Sequence, residues 1–326
     1  MSFIFRSLMT VATMCWMAQA TPAHSQDYPT RAVKIIVPYS AGGQADVGVR
    51  VVANALSQQF GQAFVVENVG GAGGVVGIQA GIRAAPDGYT LVYSDAGQWA
   101  INPALNSKIA YDIQRDLTPV GLFGFTALFL VANSSFPANN LQELVAEIRA
   151  KPDFYAYGSS GIGTAHHLSI AEFTSALGLK VRHIPYKGSA QSIPAVASGE
   201  VSFGIAAYGG IAGFVKDGRL KLIAVNSKGR SAFAPQAPPM ADAGVPDFDQ
   251  AGSLGLMAPI GTPKAIVEKL SAAIAKAVAS PEVVARFVQI GLEPPASSSL
   301  ERMAEVIRAD KAKFARVVKL SGAATE

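Results

Sequence analysis

The chain has 326 residues, half of them apolar and 15% charged, with a formal net charge of +4. That balance excludes a disordered chain, which lacks the apolar surface to offset the entropy of ordering. The lysines and arginines are scattered without a run, which excludes the basic tract of a nucleic-acid binder, and the length is enough for two α/β units with large cores.

The first 25 residues read as an export signal. Arg6 supplies the basic start, and residues 8–17 form an apolar stretch shorter than the roughly 20 residues of a spanning helix. Either Ala18-Gln19-Ala20 or Ala23-His24-Ser25 gives a small-x-small cleavage site, so cleavage after Ala20 or Ser25 is expected to leave the mature chain in the periplasm. The one cysteine, Cys15, departs with the signal. The mature chain then has no disulfide, thiolate metal site or cysteine nucleophile, and relies on its core for stability.

Strand and helix patterns alternate from there on. Residues 33–37 are a continuous apolar run, 46–60 set Val47, Val51, Ala55 and Leu56 on one helical face, and 63–67 form a second strand. Gly70-Gly71-Ala72-Gly73-Gly74 opens an apolar helix over 75–85, which Pro86-Asp87-Gly88 ends before a strand over 89–94. A β-α-β-α-β run implies a parallel, doubly wound sheet with right-handed crossovers. Two extended segments within 120–132 leave this unit. Helices over 141–150, 164–177, 190–198 and a short one reaching 215 then alternate with strands over 154–157, 180–185, 201–207 and 220–225. The tail carries helices over 263–279, 281–289 and 300–320, the first two opened by proline. Pro235-Gln236-Ala237-Pro238-Pro239 reads as a rigid surface loop. The expected fold is α/β, with two doubly wound domains and a ligand cleft between them. The first spans 26–130 plus 226–326 and the second 131–225.

Two loops are candidates to carry the chemistry. Tyr39-Ser40-Ala41-Gly42-Gly43 follows the first strand, and Gly158-Ser159-Ser160-Gly161-Ile162-Gly163-Thr164 follows the strand over 154–157. Both join the carboxyl end of a strand to a helix N-terminus, where open α/β sheets bind ligands and free N–H groups hold an anion without a charged side chain. A charge at one helix end is worth about 0.3–1 kcal/mol, whereas micromolar binding needs roughly 8 kcal/mol. Both loops, domain closure and several hydrogen bonds must therefore act together. Asp46, in the opening turn of the first helix, either complements the helix dipole or holds the loop. Ser94-Asp95 ends the strand over 89–94 at the same edge, and Tyr186-Lys187 is either a polar wall or a plain turn.

Other patterns fall short. Gly71-x-Gly73-x-x-Val76 lacks the last glycine and the following acid of a dinucleotide fingerprint, and Gly158-x-Ser160-x-Ile162 lacks the closing glycine of a serine elbow. His166 and His167 point about 100° apart on a helix, so they do not chelate one metal as an i, i+4 pair would. One is expected to face the cleft or cap it and the other to pack, with His183 a packing residue in its strand. No metal and no cofactor are expected. A hydrolase using Ser160 and His166 is the catalytic alternative.

An ordered set of motifs runs through the mature chain: Tyr28-Pro29-Thr30-Arg31-Ala32-Val33, Pro38-Tyr39-Ser40-Ala41-Gly42-Gly43, Glu67-Asn68, Gly71-Ala72-Gly73-Gly74, Pro86-Asp87-Gly88-Tyr89-Thr90, Tyr157-Gly158-Ser159, His166-His167-Leu168, Pro185-Tyr186-Lys187-Gly188 and Ala258-Pro259-Ile260-Gly261-Thr262-Pro263. Together they resemble the Bug family, the extracytoplasmic solute receptors of tripartite tricarboxylate transporters. The resemblance implies a periplasmic binding protein of type II-like fold, with two domains joined by two crossing strands. It also implies a monomeric receptor that encloses a small carboxylate, a di- or tricarboxylate or an aromatic acid, and delivers it to membrane permease subunits. A sensor kinase is the alternative partner. Carried over residue by residue, Ser40, Gly42, Gly43, Ser159, Ser160 and Thr164 would bind carboxylate, with Tyr39, Ala41, Gly161 and His166 beside them. Ala206 stands where relatives often have aspartate, and Ala45 where many have threonine or serine. An α-amino group wants an acidic partner, so the missing aspartate disfavours amino-acid ligands.

Overall fold

An apolar run such as Val33-Lys34-Ile35-Ile36-Val37 suits a strand covered on both faces, and the computed structural model, which describes residues 28–323, places it inside a five-stranded sheet. The expected signal segment lies outside the described residues. In chain order the strands are β1 (Val33–Val37), β2 (Phe64–Asn68), β3 (Thr90–Asp95), β4 (Leu117–Thr126) and β5 (Leu128–Asn133). They continue as β6 (Ala156–Ser159), β7 (Arg182–Pro185), β8 (Phe203–Ala207), β9 (Leu220–Val225) and β10 (Gly252–Pro259). The helices are α1 (Gln44–Phe60), α2 (Val75–Ile82), α3 (Asn102–Leu105), α4 (Ile113–Asp116), α5 (Leu141–Ala150) and α6 (Ala165–Ala176). After these come α7 (Ser189–Ser198), α8 (Tyr208–Lys216), α9 (Lys264–Val278), α10 (Pro281–Ile290) and α11 (Leu300–Ser321).

The first sheet has the order β2-β1-β3-β10-β4 and the second β7-β6-β8-β5-β9. β1 is parallel to β2 and β3, as the β-α-β pattern requires, but β10 runs antiparallel to both β3 and β4, so the sheet is mixed. In the second sheet β6 is parallel to β7 and β8, while β5 runs antiparallel to β8 and β9. Side chains alternate between sheet faces, and each sheet is covered on both. Val33, Ile35 and Val37 pack with Val49 and Val52 of α1 and Leu270 of α9. On the opposite face Val92 and Leu122 meet Trp99 and, from α11, Met303 and Phe314. Around the second sheet, Leu130 and Ile205 pack with α5 and α6, and Phe129 and Val131 with α7 and α8.

The chain crosses between the sheets twice. On the way out, Ala127 alone separates β4 from β5, so the second sheet begins at Leu128. On the way back, residues 226–251 connect β9 to β10, and Met240 and Phe248 within them pack in the second core. The proline cluster belongs to this return segment. Ala234 and Ala237 are buried and Val225 N–H donates to Pro238 O (2.9 Å), so the loop is pinned along β9 instead of standing free on the surface.

Asn226 ties the two crossings together. Its side chain is fully buried. Oδ1 accepts the Leu128 N–H (2.7 Å), while Nδ2 donates to Gln250 O (3.0 Å) and to Ser169 Oγ on α6 (3.2 Å). Its own N–H donates to Leu128 O (2.9 Å). α11 straps both units from behind: Asp310 accepts from Trp99 Nε1 (2.9 Å) beside the first sheet, and Arg316 pairs with Glu172 on α6. No helix of the described residues is long and apolar enough to cross a membrane.

Candidate functional site

The first loop is held by what lies beneath it. A Cβ on Gly77 would sit 2.6 Å from Val69 O and 2.7 Å from Pro38 Cα, so only glycine lets α2 approach the loop base this closely. Ser40, Ala41, Gly42 and Gly43 are exposed, but Asp46 behind them is buried. Asp46 Oδ2 accepts the Gly42 N–H (2.8 Å), Oδ1 accepts Asn68 Nδ2 (2.9 Å), and Arg50 Nε reaches both oxygens at 3.1 Å. Asn68 Nδ2 also donates to Tyr39 O (3.1 Å). Of its two sequence-level roles, Asp46 therefore takes that of loop anchor. Burial pushes its carboxyl up, but the hydrogen bonds from Arg50, the Gly42 N–H and Asn68 outweigh this and hold it below the ordinary carboxylate value. Its stabilisation is present above that ordinary value and is lost as pH falls through the lowered one. Asp46→Ala is expected to cost about 2 kcal/mol in urea denaturation, since hydrogen bonds to charged groups contribute about 1.5–3 kcal/mol. A cost below about 0.5 kcal/mol would show that the loop holds itself.

Histidines hold the second loop. Ser159 Oγ, fully buried, lies 2.7 Å from His183 Nε2 and accepts the Gly161 N–H (3.1 Å). Gly163 N–H donates to His167 Nδ1 (3.1 Å), and Ser160 Oγ lies 2.8 Å from His166 Nδ1. Thr164 caps α6 by accepting the His167 N–H (3.3 Å) and donates to Gly161 O (2.8 Å). The rings of His167 and His183 stack with centroids 4.0 Å apart, with Tyr157 4.8 Å from His183. Burial pushes His166 and His183 down to about 4, and lowers His167 as well. His183 is thus more than the packing residue its strand suggests. Twenty-four residues from Ser159 in sequence, it is one of the loop's anchors.

Between the loops lies a cleft of about 580 Å³, within the range of small-molecule sites. The uncapped start of α1, at Gly43, Gln44 and Ala45, forms one wall; Ile162, Gly163, Thr164 and Ala165 reach over from the second sheet. A Cβ on Gly163, which has φ +75°, would stand 2.7 Å from Leu105 Cδ1, so the two units touch here through a glycine. The floor carries Asp95, whose Oδ2 accepts the hydroxyls of Tyr39 and Tyr93 (2.9 Å each) and whose Oδ1 accepts the Gly97 N–H (2.7 Å). Gln98 Nε2 donates to Tyr39 Oη (2.6 Å), and Asn102 Nδ2 to Gly73 O (2.9 Å). Burial pushes the Asp95 carboxyl up against these hydrogen bonds, and pushes the Tyr39 hydroxyl well up with help from the charge of Asp95.

Of the sequence-predicted residues, Tyr39, Gly43, Asp95 and Thr164 line the cleft. Ser40, Ala41 and Gly42 flank it, and Ser159, Ser160, Gly161 and His166 form the hydrogen-bonded base of the second loop. Ser94 and Ala206 are buried within strands, Tyr186 donates to Glu200 (2.7 Å) and Lys187 is exposed, and none of the four lines the cleft. Gln44, Gln98, Asn102 and Thr126 do line it and carried no sequence motif, although Gln98 lies only three residues beyond Asp95. Among the described residues no group of three or more histidines, cysteines or acids is placed to hold a metal.

Two α/β sheets crossed twice by the chain, with a strand–helix loop from each meeting over one cleft, define a two-domain binding protein of the periplasmic type. The family model described as tripartite tricarboxylate transporter family receptor matches residues 48–322, and the chain belongs to this family. It is 33% identical to protein BugT of Bordetella pertussis over 306 residues, covering 90% of this chain and 94% of BugT. Among solved structures, an R. palustris protein with adipate is 31% identical with TM-score 0.76, covering 91% of this chain and 99% of that one. MatC of Rhodopseudomonas palustris with bound malate is 28% identical with TM-score 0.73, covering 89% and 100%.

Proposed function

We propose that the protein is a periplasmic receptor that captures a small carboxylate between its two units and delivers it to the membrane permease subunits of a tripartite tricarboxylate transporter. The observation that carries this reading is the cleft itself. It is of small-molecule size, and it is bounded by a helix N-terminus from the first sheet and the loop before a second helix from the other. Backbone N–H groups there stabilise an anion without a counter-charge, and the relatives solved with adipate and malate carry ligands of this chemistry. Binding orients the carboxylate, and closure about the crossings at Ala127 and Asn226 desolvates it. Export follows cleavage after Ala20 or Ser25.

A thermal-shift screen of the mature protein against mono-, di- and tricarboxylates, aromatic acids and amino acids tests the reading, because a ligand that binds only the folded state raises the melting temperature. A hit among carboxylates, with a more compact small-angle scattering profile on addition, is the expected result. Silence across the panel with ligand-free protein would overturn it. One observation favours a second reading, hydrolysis: Ser160 Oγ lies 2.8 Å from His166 Nδ1. A hydrolytic pair uses an orienting third group on the histidine, and no carboxylate hydrogen-bonds to His166 among the described residues. Ester turnover abolished by Ser160→Ala would favour the hydrolase over the receptor.

A further inference from the structure

The first turn of α1 is tied to the segments that cross between the sheets, and the amide of Gln44 makes the tie. Gln44 opens the helix and lines the cleft. Its Nε2 donates to two carbonyls at the end of α10, Ile290 O (2.9 Å) and Gly291 O (3.1 Å), and its Oε1 accepts the Thr126 hydroxyl (3.2 Å). Thr126 ends β4 and stands next to Ala127, the first crossing. Gly291 caps α10 at φ +76°, and a Cβ there would stand 3.3 Å from Gln44 Nε2, so the left-handed glycine makes room for the amide. Two residues on, Glu293 exchanges backbone bonds with Phe125 of β4 (2.8 and 2.9 Å), and its carboxylate accepts the Ser231 hydroxyl of the return segment. Gln44 therefore joins the helix start to the ends of β4 and α10 and, through Glu293, to the second crossing.

This turn also carries free anion donors. The backbone N–H groups of Gly43, Gln44 and Ala45 have no acceptor among the described residues, and the same holds for Ala165 and His166 at the start of α6. The Gly42 N–H is taken by Asp46, whose other partners, Arg50 and Asn68, lie on α1 and β2. Asp46 fixes the shape of the loop, whereas Gln44 fixes where the turn sits relative to the crossings. With its two hydrogens given to two carbonyls, the Gln44 amide has no donor left for a ligand and acts through the turn that it holds. It also covers carbonyls at a helix C-terminus, the negative end of a helix dipole, which would otherwise stand bare beside an anion.

We propose that Gln44 is a positioning residue that couples occupancy of the α1 cradle to the crossings, so that a carboxylate held by the opening turn stiffens the hinge. This rests on the carboxylate-receptor reading and deepens it. Coupling of this kind travels through contiguous hydrogen bonds, and here they run from the turn through the Gln44 amide to Thr126 and Gly291.

Hydrogen exchange of the mature protein, with and without adipate or malate or, where neither binds, the tightest carboxylate of the thermal-shift panel, tests it in the parent and two variants. Gln44→Met keeps the length of the side chain without its polar atoms, and Thr126→Val keeps the shape and loses the hydroxyl. Without ligand, residues 123–128 are expected to exchange about fivefold faster in Gln44→Met, together with 44–50. With saturating ligand, exchange over 123–128 is expected to slow in the parent and to stay unchanged in Gln44→Met, whose dissociation constant by titration is expected to be about tenfold higher. Thr126→Val is expected to lose part of that slowing at an unchanged melting temperature, which a merely structural role would not produce. Faster exchange confined to 44–50, or a ligand-induced slowing as large in Gln44→Met as in the parent, overturns the inference and leaves the carboxylate receptor standing. Exchange raised equally over the whole chain also overturns it, since that reports lost stability and not a lost link. Failure of every carboxylate in the panel overturns the receptor reading and this inference with it.

Discussion

Asn226→Ala is expected to lower the free energy of unfolding by about 3 kcal/mol, because it orphans the Leu128 N–H and the Gln250 carbonyl, and a buried unpaired polar group costs about 1–3 kcal/mol. Both partners belong to the segments that cross between the sheets, and neither has water at hand, since Asn226 is fully buried. Asn226→Asp separates the parts of this cost. The carboxylate still accepts the Leu128 N–H but no longer donates to Gln250 O or Ser169 Oγ, and it buries a charge, so it is expected to be no more stable than alanine. Urea denaturation gives both numbers. An alanine variant within about 1 kcal/mol of the parent would mean that the two remaining backbone bonds, from Asn226 N–H to Leu128 O (2.9 Å) and from Gln250 N–H to Asn226 O (2.8 Å), hold the crossings by themselves.

The elements that the sequence made legible are those whose signal is local. Leu141–Ala150 and Leu220–Val225 coincide with the expected helix and strand because apolar period and cap residues agree; Asn140, for example, accepts the Glu143 N–H (2.9 Å). β10 had no such signal. Its Gly252, Ser253 and Gly255 carry no strand-forming side chains, and a Cβ at Gly255 would lie 3.1 Å from Gly121 O on the neighbouring β4 and against the Met303 side chain of α11, so the strand is closely packed at this glycine. β10 also pairs with strands more than 120 residues away, β3 and β4, and no window of sequence contains that partnership. The parallel pairing expected of the β-α-β-α-β run holds for β1 with β2 and β3, and it is β10, entering antiparallel beside β3, that makes the sheet mixed.

The site was legible at its loops and illegible at its supports. Helix starts after small residues announced 39–43 and 159–164, but a side chain's partner depends on the fold. Asp46 was undecided until Asn68 and Gly42 were seen to converge on it, and His183 could not be assigned to Ser159 from a strand pattern.

Acidification is expected to release the second loop before it affects the first. His166 and His183 titrate at about 4 in the folded protein against 6.5 ordinarily, owing to burial, with the charge of His167 adding to the effect at His183. Neutral His167 accepts the Gly163 N–H at Nδ1, so a proton there would set two donors against each other. As pH falls through 6.5 the unfolded chain takes up protons that the folded chain refuses. Stability is therefore full above 6.5, declines between 6.5 and about 4, and levels off below. Each pH unit in that window is worth about 1.4 kcal/mol per group. Halved for the partial exposure of the rings, the two histidines together cost about 3 kcal/mol over the window. Denaturation of the parent and of His183→Gln at pH 7.5 and about 4.5 measures this, since glutamine can bond Ser159 but does not titrate, and the variant is expected to lose about half as much stability as the parent. Imidazole proton resonances titrating near the ordinary 6.5 would instead show that the rings are open to solvent and not anchors. Asp46 offers the internal contrast. Its carboxyl lies below the ordinary 3.8, so the first loop keeps its anchor throughout the window in which the second loses its own.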